Sequence, residues 1–188
     1  MITVWQFKTK TFWGAAGWKE AATLTGHTFG VEVIKPVPGK AFIITGDRNG
    51  VMQVWDTTDW QLIASLKVNG TLCNSVTISP DGLCLAAIET VAVYLHTTVK
   101  IWATATWQEI AQVTVESPTP VSSLAFTADS KYLLAGGSGL FVIHTSNWQV
   151  GLHVPGAGDV RTIAVFPDGK HVLAGVNIWK LDWGNLCK

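Results

Sequence analysis

The chain is expected to be all-β, built from four-stranded antiparallel units that repeat about four times. Two observations predict this. First, the stretches Val54–Trp60 (VWDTTDW), Ile101–Trp107 (IWATATW) and Val142–Trp148 (VIHTSNW) are copies of one pattern: a Trp or its substitute, a polar turn, then a second Trp. That second Trp recurs at Trp18, Trp60, Trp107 and Trp148, at intervals of 42, 47 and 41 residues. A fixed period of this size marks an array in which each unit buries its apolar faces against its neighbours. Second, the segments between the tryptophans alternate or run apolar over short lengths and are rich in β-branched residues, with no helix-period stretch among them.

The strands of one unit follow in order. Strand a lies near 31–36, 73–78, 121–126 and 160–165. Turn residues come next: Pro38-Gly39-Lys40, Pro80-Asp81-Gly82, Ala128-Asp129-Ser130 and Pro167-Asp168-Gly169. Asp and Gly tolerate the tight or left-handed backbone that such turns need. Strand b covers Ala41–Thr45, Leu83–Ile88, Tyr132–Ala135 and His171–Ala174. Strand c holds Trp5, Trp55, Trp102, Ile143 or Trp179, and strand d begins at the second Trp of each copy. The chain thus starts with c and d and finishes with a, b and a further c. A single domain over 1–188 divides into a partial unit at 1–28 and units at about 29–69, 70–116, 117–156 and 157–188.

Composition narrows the function classes. Apolar residues make up 48% and charged residues 14%, enough for a core and thin for a heavily solvated surface. Lys+Arg and Asp+Glu balance at 13 each, which gives no reason to expect a nucleic-acid or membrane partner. MITVWQFKTK lacks the features of a signal peptide, and the cysteines (Cys73, Cys84, Cys187) read as free thiols, so a cytoplasmic location is expected. The sequence contains no nucleophile elbow, Walker loop, zinc-protease helix or paired-cysteine motif, and its five histidines have no metal-ligand spacing. The expectation is therefore no enzyme, no cofactor and no metal.

Four-stranded units at this period are the signature of β-propeller blades. The chain resembles the WD-repeat family. The carriers are Gly26-His27, Trp55-Asp56, Ser79-Pro80-Asp81-Gly82 and Phe166-Pro167-Asp168-Gly169. The resemblance implies a hydrogen-bonded tetrad inside the blade. His27, Thr45 and Trp55 fall at three of its places, with Asn49 where the family has Asp. On that reading the carboxylate that orients the His is missing, and the tetrad is eroded.

The resemblance also implies a scaffold for a protein or peptide partner. An enzymatic or small-molecule-binding propeller that uses its central channel is the alternative, as is a remnant of a larger propeller. Four blades alone would have to turn about 90° each, whereas larger propellers need smaller wedges. Two chains closing one eight-bladed ring as a homodimer, one chain closing a tight ring, and a piece of a longer array are the three ways to resolve this. Partner-binding residues are expected on the face that carries the b–c and d–a connections: Phe29, Arg48, Asp159, Arg161, and the set Tyr94, Leu95 and His96. The last three belong to an insertion, Thr90–Thr98, which lengthens the b–c connection of one unit. A longer hairpin covering its own blade is the other reading of that segment.

Overall fold

A computed structural model describes residues 1–8, 17–69, 75–90 and 96–180. The described residues form sixteen strands and no helix. β1 (Ile2–Lys8) and β2 (Gly17–Leu24) make an antiparallel pair of c and d type. β3 (Val31–Pro36), β4 (Phe42–Asp47), β5 (Val51–Asp56) and β6 (Leu62–Lys67) form the first four-stranded sheet, in that order. β7 (Val76–Ile78), β8 (Cys84–Thr90), β9 (His96–Ala103) and β10 (Gln108–Glu116) form the second. β11 (Ser123–Phe126), β12 (Tyr132–His144) and β13 (Gln149–Asp159) form the third, and β14 (Ile163–Val165), β15 (His171–Ala174) and β16 (Asn177–Lys180) the fourth.

β12 is strands b and c in one. Its first half pairs with β11 and its second half with β13. A straight strand of that length would span about 40 Å, yet Thr145 N donates to Lys131 O at 3.0 Å across its ends. The strand therefore folds back on itself at Gly136-Gly137-Ser138-Gly139, where Gly139 takes a φ of 120°. The third sheet is a full blade.

Inner strands β3, β7, β11 and β14 lie side by side in sequence order, and the sheets stack through three apolar layers. Period-two alternation feeds both layers from one strand. In β8, Leu85 and Ala87 point back to the first sheet, while Cys84, Ala86 and Ile88 point on to the third. In β12, Leu133 and Ala135 belong to the second–third layer, and Tyr132 and Leu134 to the third–fourth. Each fully buried Leu, Ile or Val contributes about 1.5–3 kcal/mol.

Two regularities were not read from the sequence. Trp18 lies at the start of strand d as expected, but at the other three positions the second Trp does not open it. Trp60, Trp107 and Trp148 sit in the c–d turn with φ of 63°, 57° and 55°. Each donates its backbone N–H four residues back, to Asp56, Ala103 and His144, at 2.7–2.9 Å. The turn needs a left-handed residue, which costs an L-amino acid about 1–2 kcal/mol. Ring packing offsets that cost: Trp107 meets the edge of Phe42 in the preceding sheet at 6.0 Å. The second regularity is a β-bulge. In every c–d pair one residue of the d strand is left unpaired, three positions after the Trp: Ala21, Ile63, Ile110 and Gly151.

Candidate interaction site

The b–c turns and d–a links fall at one end of the blades, because strands alternate in direction. At the first blade this end is held by a complete tetrad. His27 Nδ1 lies 2.8 Å from Asp47 Oδ2, and His27 Nε2 lies 2.7 Å from Thr45 Oγ1. Trp55 Nε1 donates to the same Thr45 oxygen at 2.9 Å. The donors and acceptors balance if Nδ1 carries the ring proton: Trp55 donates to Thr45, Thr45 to His27, and His27 to Asp47.

This corrects the assignment of Asn49. The carboxylate is Asp47, the last residue of β4, and its second oxygen accepts from the backbone N–H of Asn49 at 2.9 Å and of Val51 at 3.1 Å. Asn49 is an exposed residue of the turn that Asp47 organises. The tetrad is intact, and both His27 and Asp47 side chains are almost wholly buried. Gly26 completes the fit. Its φ is 139°, and a Cβ there would lie 2.6 Å from Gln53 Nε2. His27 thus fastens the d–a link to the sheet, out of reach of a substrate.

Around this anchor, Phe29 is exposed and Arg48 N donates to Gly30 O at 3.3 Å, so the d–a link and the b–c turn touch. The exposed Arg48 guanidinium pairs with Glu32 of β3, which raises its pKa above the ordinary arginine value. Arg161 stands in the last d–a link, beside Asp159 at 2.9 Å. Together with Thr119, Pro120 and Ser122 these two residues line an open cleft of about 460 Å³. Thr119 Oγ1 donates to Asp159 at 3.3 Å. The lining from Thr119 to Ser122 was not anticipated, because it comes from the preceding d–a link, a whole repeat away in sequence. Tyr94 and Leu95 lie outside the described residues. His96 opens β9, and Thr90 pairs with Thr97 in a b–c ladder longer than that of the first blade.

At the base of that long hairpin, Lys100 is buried. Its Nζ lies 3.3 Å from Glu89 and 3.6 Å from Glu109, and Glu89 also accepts from Asn69 N at 2.7 Å. This charge cluster ties the end of one blade to the next. The half-buried Cys84 thiol is pushed above its usual range by burial and then by the Asp81 carboxylate, which leaves it a poor nucleophile.

The family described as WD domain, G-beta repeat (WD40) matches residues 18–56. That stretch runs from strand d of the opening pair through a, b and c of the first blade, and it contains the whole tetrad. The matched repeat and the succession of antiparallel sheets fit a WD-repeat propeller family. Such a repeat points to a protein-interaction scaffold. A comparison with curated proteins found no match.

Proposed function

We infer that this chain is a non-catalytic scaffold for protein–protein interaction, and that two copies close one eight-bladed ring. What carries the reading is one position followed through the repeats. The residue before the strand-c Trp or its substitute faces the next blade. Val54, Ile101 and Val142 are 0%, 0% and 1% exposed, whereas Ile178 in the last sheet is 65% exposed. Ile178 stands in a cross-strand row with Ala164 and Leu173, all facing away from the third sheet.

The opposite end tells the same story. On the face toward the preceding blade, Val76 and Leu124 are 5% and 7% exposed, and the equivalent Ile34 is 55% exposed. Both ends of the arc keep apolar residues at the positions that bury themselves between blades. Every internal junction joins a trailing face to a leading face, and the arc presents one of each. Two copies meeting head to tail satisfy both, in a closed twofold arrangement.

Paired charges on the loop end (Arg48 with Glu32, Arg161 with Asp159) and exposed Phe29 support docking of a protein or peptide there, with Arg and aromatic side chains as its contacts. Light scattering coupled to gel filtration tests the assembly. The expected mass is twice the 20.3 kDa of the chain, and a monomer mass at micromolar concentration overturns the two-copy ring.

A further inference from the structure

The left-handed tryptophans follow a seating rule. Trp107, in the c–d turn of the second blade, packs on Phe42, the first residue of strand b in the blade before it. Trp148, one blade on, joins the layer that contains Cys84, the first residue of strand b in its own preceding blade. Trp107 thus sends its indole across the junction onto the start of the neighbour's b strand, and Trp148 enters the same layer as the equivalent residue of its own neighbour.

Trp60 has the same turn and the same left-handed φ, but it belongs to none of the three apolar layers among the described residues. The strands that precede its blade are β1 and β2, of c and d type, which supply no b strand. At the other end of the arc β15 opens with His171. Its ring is partly exposed, meets the edge of Phe166 at 6.1 Å, and is held by Asp168. Among the described residues no strand b precedes the blade of Trp60 to receive its half-buried indole, and His171 with Phe166 is an aromatic seat on the exposed trailing sheet.

We propose that Trp60 anchors the contact with a second copy of this chain, seated on that copy's His171 and Phe166. The proposal rests on the two-copy reading above and adds the residues that make it. A left-handed turn is comfortable for glycine, so Trp60→Gly removes the ring and relieves the backbone at once. The variant keeps its fold, which thermal unfolding checks. An aromatic hot spot at an interface is worth about 2 kcal/mol or more, so Trp60→Gly weakens dimerisation by about 30-fold or more.

Sedimentation equilibrium on wild type, Trp60→Gly, His171→Ala and the double variant decides it. The expected result is that each single change weakens the dimer and that the double change weakens it by less than the product of the two, because both remove one contact. A wild-type dimer with Trp60→Gly within about twofold of it, or with multiplicative single effects, overturns the Trp60 anchor and leaves the ring standing. A wild-type monomer overturns the ring and the anchor together.

Discussion

Replacing Asp47 by Ala tests the corrected tetrad most directly. The Asp47 carboxylate accepts three hydrogen bonds, from His27 Nδ1 at 2.8 Å, Asn49 N at 2.9 Å and Val51 N at 3.1 Å. The two backbone donors lie in and at the end of a surface turn, where water replaces much of what is lost. The imidazole is different. Its side chain is 2% exposed, so its N–H is left without a partner. A hydrogen bond to a charged group contributes about 1.5–3 kcal/mol, and an orphaned buried donor costs about 1–3 kcal/mol. Counting the imidazole bond in full and the turn bonds at a fraction gives a loss of about 3 kcal/mol. Asn49→Ala removes only an exposed side chain and stays within about 0.5 kcal/mol. Urea unfolding followed by tryptophan fluorescence measures both. His27→Ala added to Asp47→Ala costs less than the sum of the two single changes, since they share one bond. Equal losses for Asp47→Ala and Asn49→Ala, or a loss below about 1 kcal/mol for the former, would refute the tetrad as drawn here.

Two further outcomes follow from the charge pairs. Lys100→Ala strands the Glu89 carboxylate at the junction of two blades and destabilises the chain by about 3 kcal/mol, while Lys100→Met with Glu89→Leu recovers most of the loss, as thermal melts of wild type and the two variants will show. The Asp168 carboxyl is lowered from 3.8 to about 2, first by its hydrogen bond with His171 and then by the backbone N–H groups of Lys170 and His171. A depressed folded-state pKa gives stability that is present above the unfolded value and lost as pH falls through the folded one. The advantage of wild type over Asp168→Asn is therefore full above about pH 4 and fades toward pH 2, which a series of melts across that range checks.

The repeat, the strand order and the all-β class were legible because each rests on local pattern: alternation, turn residues and the recurring Trp. What was misread lies where one residue decides the geometry. Asn49 and Asp47 are two positions apart in the same turn, and only the turn's hydrogen bonds say which side chain points inward. The second Trp looks like the start of a strand, since aromatic residues favour strands, yet at Trp60, Trp107 and Trp148 the turn has imposed a left-handed backbone against that preference. The Lys100–Glu89 pair had no sequence signal, because it joins neighbouring strands across a ladder whose register a sequence does not print. The cleft beside Arg161 combines links from successive blades, and contacts at that separation carry no periodic mark.

The bulge repeated at Ala21, Ile63, Ile110 and Gly151 bears on how the molecule can grow. The outer strand of a blade offers a row of open hydrogen-bonding groups, and a flat one would invite another molecule to lie alongside and extend the sheet outward without limit. Here each outer strand carries one residue too many, so a visiting strand falls out of step within a few residues of the turn. Lateral addition is blunted at each of these four outer strands. The apolar faces at the two ends of the stack remain as the places where the proposed second copy would join. On the two-copy reading proposed above, the same irregularity that spoils the edge of each blade favours a finite ring over a fibre.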